Sequence, residues 1–407
     1  MVSDDGIRDA RSRIADVMYR SCTAGQQSEV LPDGQMACGQ FIGEGTGDRT
    51  QRGLHGTAAA IYVLAASSKD SSQTVVRQLI NWVKAYRENG ATGVSEAKLN
   101  QDRDNIIKTS ELLYALSAVG GRIEVERYRN KVAEELIGAR INDGWGYFRG
   151  QDESDRIIPT CYAVRALSSF GAHDELAGSV NWLANNMMSD VRSEGIVSPS
   201  DYSAYILILY TMSHLKHDII KEYQPNCKEA TYHYWEQLSD LLRSDLEQNI
   251  EYWHEETSEN KYVRVPWQLY FLCASVRFRP IYVFSRFTIQ NRISTAVNKV
   301  LGGGFVYPHS GSEMSSRTYS ILYETLERIK DKPNRSLLSR TSYYADSFYT
   351  GKFKRLINHP ITRTVLIILV ILFIIYTSFA SSQSDGLPYT IAGAVISSII
   401  VTIIGIE

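Results

Sequence analysis

The sequence predicts an all-α protein, an (α/α)6 toroid followed by a C-terminal transmembrane helical hairpin. Three observations carry this expectation: helix starts that repeat on an aligned threonine, an alternation of enclosed with one-faced helices, and two long uncharged runs at the end of the 407-residue chain.

The repeat is clearest in GTAAAIYVLAAS from Gly56, KTSELLYALSAVG from Lys108 and PTCYAVRALSSFG from Pro159. Counted from Thr57, Thr109 and Thr160, apolar residues recur with helical spacing: Ile61 and Leu64, Leu113 and Leu116, Val164 and Leu167. Threonine is a helix-starting residue because its hydroxyl can satisfy a backbone N–H of the first turn. Weaker copies begin at Asp201, Arg264 and Ser315. The six starts recur about every 45 to 60 residues, slightly longer than common solenoid periods.

Between these segments lie striped ones, beginning at Gly6, Thr74, Val125, Asp174, His233 and Phe287. A helix apolar on all sides must be enclosed, whereas a striped one faces water. Six enclosed helices alternating with six striped ones describe a closed ring. An open superhelix of helix pairs shares the alternation but needs capping ends. The expected division is a toroid over 1–330, a linker over 331–363 with a basic juxtamembrane segment, and two transmembrane helices over 364–406.

Lysine and arginine total 43 against 45 aspartates and glutamates, with the signs mixed, so neither a nucleic-acid partner nor a basic protein partner is called for. The five cysteines are odd in number and include no CxxC pair, which fits reduced thiols in a cytosolic body. The start, MVSDDGIRDARSR, lacks the apolar stretch of a secretory signal. Thr364–Ala380 and Pro388–Ile406 are uncharged and long enough to span, with Lys352, Lys354, Arg355 and Arg363 before them. The positive-inside rule then places a multi-pass protein in the cell inner membrane with its N-terminal domain cytoplasmic. The small residues Gly393, Ala394 and Ser397 offer contacts for a homo-oligomer through the hairpin.

Glycine and aromatic clusters precede three of the enclosed segments: CGQFIGEG at Cys38, NDGWGYF at Asn142 and GGGFVYP at Gly302. This pattern resembles the prenyltransferase and squalene-terpenoid cyclase repeat, with Gly144, Trp145 and Gly146 matching its core and Arg140 standing near its usual glutamine. The turn has a mechanical reason: glycines permit the bend and the ring wedges outer against inner helix. Trp145, Phe41 and Phe305 are therefore expected to be structural.

The resemblance implies chemistry that these residues lack. Cyclases of the protonating class place an acidic motif before the helix threonine, where this chain has Arg156, Ile157, Ile158 and Pro159 ahead of Thr160. For the zinc of protein prenyltransferases, Cys161 matches the thiol, but Pro159 replaces the aspartate and Ser316 is nearest the histidine. One thiol cannot hold a catalytic zinc, and no cofactor is expected. A thioester is excluded because Gln40 follows Cys38 by two residues where three are needed. Asp102 and Asp104, the acidic stretch from Asp152, and HEETSEN from His254 read as solvated loops.

What remains is the mouth of the ring, where the starts of the enclosed helices gather candidate ligand-binding residues: Lys108, Glu111, Thr160, Cys161, Tyr162, Tyr205, Trp267, Tyr270 and Arg317. A cation at a helix N-terminus opposes the helix dipole, so Lys108 and Arg317 call for an anion. The functional expectation is a membrane-anchored, non-catalytic toroid that binds an apolar or anionic-headed ligand, such as an isoprenoid or lipid, or a partner, and acts through its hairpin. One version is a bacterial phage-defence effector. The alternative is a membrane-associated enzyme acting on isoprenoid or other lipid substrates.

Overall fold

The computed structural model describes residues 4–24, 34–39, 41–42, 53–67, 70–89, 96–120, 123–151, 156–192, 199–234, 252–256, 261–265, 267–278 and 314–330. The chain divides into two units, Met1–Arg335 and Ser336–Glu407. The first is mostly helical, and the second lies outside the described residues, as do Phe305 and His309.

All six expected enclosed helices form: α2 (Leu54–Ala66), α5 (Ile106–Ala118), α7 (Ile157–Phe170), α9 (Pro199–Met212), α11 (Trp267–Arg277) and α12 (Ser316–Lys330). Each packs on the next, and α12 returns to α2, so the ring closes and the open superhelix is excluded. The striped segments form α1 (Asp4–Ala24), α3 (Asp70–Asn89), α6 (Ile123–Gly138) and α8 (Ala177–Arg192) outside this ring. The segment from His233 is helical as far as residue 234, in a stretch that begins at 224; its remainder and the segment from Phe287 fall outside the described residues. Outer α1 bridges α12 and α2, α6 bridges α5 and α7, and α8 bridges α7 and α9.

Two further short helices are α4 (Glu96–Asp104) and α10 (His217–Ile220). The strands are few. β1 (Phe41–Ile42) pairs antiparallel with β4 (Met314–Ser315), joining the first module to the last, and β2 (Tyr252–Glu256) pairs with β3 (Lys261–Val265). HEETSEN therefore begins within a strand, not in the expected loop.

The repeat threonines have a mechanical role. Trp145 is fully buried, donates its indole N–H to the Leu136 carbonyl at 2.7 Å, and gives its backbone N–H to Thr160 Oγ1 at 3.0 Å. In the first module Cys38 gives its backbone N–H to Thr57 Oγ1 at 3.1 Å. The threonine of an inner helix thus clamps the turn that precedes it. A Cβ on Gly56 would stand 2.1 Å from the Gly39 carbonyl oxygen, so only glycine lets this turn lie against α2. Thr160→Val and Thr57→Val should each cost about 1–3 kcal/mol in chemical unfolding, because each leaves a buried backbone N–H unsatisfied.

Local signals set the helix ends. The Asn105 side chain accepts the Lys108 N–H at 2.9 Å and caps α5. Pro159 sits in the first turn of α7, where no donor is needed, and Gly171 ends α7 at φ 106°.

Among the described residues, no helix is long and apolar enough to cross a membrane. The runs at 364–380 and 388–406 lie outside the described residues, so no described helix supports the inner-membrane placement, and that placement is withdrawn.

Candidate functional site

Because each inner helix starts at the same end of the ring, equal positions along the helices form layers around the axis. The second position supplies His55 and Arg317; the sixth supplies Ala59, Glu111, Tyr162 and Ile321; the ninth supplies Tyr62, Tyr114, Arg165 and Glu324. Steps of four and three residues keep one helix face turned to the axis. Most of these residues line a cavity of about 20 Å³, room for one water.

The mouth layers hold one ionic cluster. Glu111 Oε1 accepts from Arg317 Nε at 2.7 Å, Glu111 Oε2 contacts His55 Nδ1, and Arg317 Nη2 lies 3.2 Å from the same imidazole nitrogen. Burial alone would raise the Glu111 pKa, but Arg317 and then His55 outweigh it and hold the carboxyl at about 2. Glu111 is therefore a carboxylate at any ordinary pH.

The deeper layer is a second cluster. Glu324 Oε2 accepts from the Tyr210 hydroxyl at 2.5 Å and faces Arg165 at 3.8 Å; Oε1 contacts His214 Nε2 and receives Arg328 Nε at 3.3 Å. Burial opposes its charge, yet His214, Arg328 and Arg165 drive its pKa far below the usual carboxylate range. The Arg165 guanidinium lies over Tyr114 at 4.1 Å and Tyr210 at 5.2 Å and donates to the Tyr210 hydroxyl at 2.6 Å. Rings and hydroxyls here replace the water a buried cation gives up.

The predicted site residues divide accordingly. Glu111 and Arg317 meet, and Tyr162 joins them: its ring lies under the Arg317 guanidinium at 5.6 Å, and its hydroxyl is 2.9 Å from that of Tyr270. Lys108 turns to Asp102 instead, at 2.5 Å, and Asp102 also receives the Tyr86 hydroxyl at 2.6 Å. Thr160 clamps the Trp145 turn, and Cys161 is buried with its carbonyl accepting from Thr211, its thiol pKa raised by burial. Tyr205 is partly buried against the core; Trp267 opens α11, with its side chain outside the described residues.

The anion that Lys108 and Arg317 called for is thus supplied by the chain itself, through Asp102 and Glu111. An anionic head group is not needed. Among the described residues, no three histidine, cysteine or carboxylate side chains gather as a metal-binding group.

Sequence reasoning gave no role to His55, Arg165, Glu324, Tyr210, His214 and Arg328. A signal was present: Arg165 and Glu324 are ionisable residues well inside helices that must be enclosed, and such residues are rarely buried without partners.

The helices, their closure and the axial clusters define an α/α toroid. No family model and no curated protein matches the sequence. Among solved structures, the chain is similar to the GH76A α-1,6-mannanase of Salegentibacter sp. HEL1_6, with a TM-score of 0.52 and 9% identity, over 79% of this chain and 98% of that one. An inactive variant of the same enzyme, with two consecutive aspartates changed to asparagine and α-1,6-mannotriose bound, matches equally, over 80% of this chain and 99% of that one.

These likenesses correct the expected resemblance. The toroid aligns with glycoside hydrolases, not with prenyltransferases or terpenoid cyclases. The glycine and tryptophan turn misled because it belongs to helix-pair packing, where a threonine clamp serves any chemistry. The non-catalytic sensor, its phage-defence version and the isoprenoid enzyme all rested on that resemblance and on the membrane placement, and they are withdrawn with them.

Proposed function

We propose that the protein is a carbohydrate-active enzyme that cleaves a glycosidic bond at the mouth of the toroid. The observation that carries this reading is the contact of an ionised, buried carboxylate, Glu111, with the His55 imidazole at the axial cavity. The fold likeness to enzymes that act on α-1,6-mannan supports the substrate class.

Glycoside hydrolysis needs one group to take a proton from water or attack the sugar, and another to protonate the leaving oxygen. Glu111 suits the first role, since it stays anionic, and the cavity beside it has room for the attacking water. His55 is the neighbouring proton carrier, and imidazole is the commonest side chain for that work. Arg317 fixes the Glu111 carboxylate at 2.7 Å. Glu324 lies a layer deeper than Glu111, held by Tyr210, His214, Arg165 and Arg328.

The division of labour differs from a consecutive aspartate pair. In this chain Asp4 and Asp5 are the only such pair, and they open outer helix α1. The sugar ring is far larger than the cavity, so the glycan lies above it, with Glu111 and His55 beneath the scissile bond. Incubation with a panel of α-linked and β-linked glycans, α-1,6-mannan included, should release reducing ends. Absence of release from every member would overturn the reading.

We also propose a C-terminal helical hairpin. On length and composition alone, the runs at 364–380 and 388–406 form a paired apolar hairpin of helices.

A further inference from the structure

The closing end of the ring, away from the mouth, holds two arginines that the proposed chemistry leaves unused. Arg277 is the last residue of α11, Arg328 lies in the last turn of α12, and Ser213 follows α9; α11 packs on both of the other helices. Arg277 Nη1 donates to the Ser213 carbonyl at 2.6 Å and to the Leu215 carbonyl at 2.5 Å. Arg328 Nη1 donates to the same Ser213 oxygen at 2.8 Å. Two guanidiniums therefore converge on one carbonyl.

Helix capping accounts for one of these cations, because carbonyls at a helix end carry partial negative charge and favour a positive side chain. It does not account for two on a single oxygen, where like charges repel. The nearby carboxylates are already taken. Glu324 shares its charge between Arg165 and Arg328, and Glu327, one residue before Arg328, pairs with Arg11 of α1. Among the described residues no carboxylate meets Arg277, so three guanidiniums, Arg165, Arg277 and Arg328, stand against the single charge of Glu324. His214, its pKa held at about 4 by burial and then by Arg328, is neutral. Burial and then Arg328 also lower the Arg277 pKa, as expected of a cation held beside another with no anion between them.

This surplus charge has an open side. Arg277 and Arg328 are both partly exposed, Arg328 at 27%. The Nε and Nη2 of Arg277 and the Nη2 of Arg328 donate to no described residue, and the Phe278 ring backs the Arg277 guanidinium at 5.7 Å. We propose that Arg277 and Arg328 form a binding site for a tetrahedral oxyanion of the phosphate class. Guanidiniums suit such an anion because their planar fork of N–H donors matches its oxygens in pairs. The anion accepts from the free nitrogens of both arginines, while their Nη1 atoms keep the Ser213 and Leu215 carbonyls. Its two negative charges cancel the surplus.

The test reads binding and melting, not cleavage, so it stands or falls apart from the carbohydrate proposal. Full-length protein is melted at pH 8 in chloride and in inorganic phosphate at matched ionic strength. At about a hundred times its dissociation constant, phosphate should raise the melting temperature by about 4 °C over chloride. A parallel arm with glucose 6-phosphate separates the two sources of such a group: a larger shift identifies a phosphorylated ligand, and an equal or smaller one the free ion. Arg277→Gln should abolish the phosphate shift. Arg277→Lys guards against loss of the fold, since it keeps the charge but presents no fork, and calorimetric titration should show phosphate bound about tenfold more weakly than by wild type. No shift beyond that in chloride, a shift of wild-type size in Arg277→Gln, or equal phosphate affinity in wild type and Arg277→Lys would overturn the proposal.

Discussion

Glu324→Gln is expected to destabilise the toroid by about 3–5 kcal/mol, the cost of breaking a buried ion cluster by removing one sign. The carboxylate is 3% exposed and meets Arg165, Arg328, His214 and the Tyr210 hydroxyl. Glutamine keeps the shape but leaves the Arg165 and Arg328 guanidiniums without the charge they share. Urea unfolding at neutral pH reads the loss. The sign with pH follows from linkage: the folded pKa is depressed, so the stabilisation is fully present above the unfolded value, near 4.5, and is lost as pH falls below it. The gap between wild type and variant should therefore be widest at neutral pH and shrink in acid. A second variant separates charge from packing: adding Arg165→Met to Glu324→Gln removes one of the stranded cations and should recover part of the loss. An equal or larger loss in the double variant would mean that packing, not charge balance, sets the cost.

Glu111→Gln is expected to lower glycan cleavage by about 10²–10⁴-fold, the usual contribution of a positioned acid or base. The same substitution should cost about 3 kcal/mol of stability, since the carboxyl pKa falls from 4.5 to about 2 on folding and each unit is worth about 1.4 kcal/mol. The group is buried, with 10% of its side chain exposed, so little of this is lost to solvent screening. Circular dichroism at the assay temperature confirms that the variant is folded. In wild type the carboxylate persists down to about pH 2, so the acid side of the kcat/KM profile should show no fall from Glu111 in the range where the protein is folded. His55→Gln should cut kcat without a matching loss of stability if the imidazole moves a proton, whereas a purely structural histidine would show the reverse.

The fold was legible because enclosure leaves a strong imprint. Six segments apolar on every side gave six inner helices at the expected places, and the threonine that aligned them proved to be the clamp on the preceding turn. The short helix α4 was missed because EAKLNQDRD carries no apolar stripe. The β2–β3 hairpin was missed because YWHEE reads as charged surface until its pairing with KYVRV is known.

The site was legible only in part. Glu111 and Arg317 stood out as charges near helix starts, and they do meet. Lys108 stood out for the same reason and turned aside to Asp102, a pairing across a helix junction that spacing does not reveal. Arg165 and Glu324 share a repeat position with Tyr62 and Tyr114, the fifth residue after the threonine in the first three modules. Reading that column as one ring about the axis would have found the deeper cluster. The family resemblance failed for a related reason: the residues that carried it hold helices together, and helix packing is shared by toroids of unlike chemistry.

The most direct test is the release of reducing ends from α-1,6-mannan and related glycans by wild type and by Glu111→Gln, both verified as folded. Wild type is expected to turn over at least one glycan, and the variant to lose this by two orders of magnitude or more. No turnover on any glycan, or equal turnover by the two proteins, would contradict it.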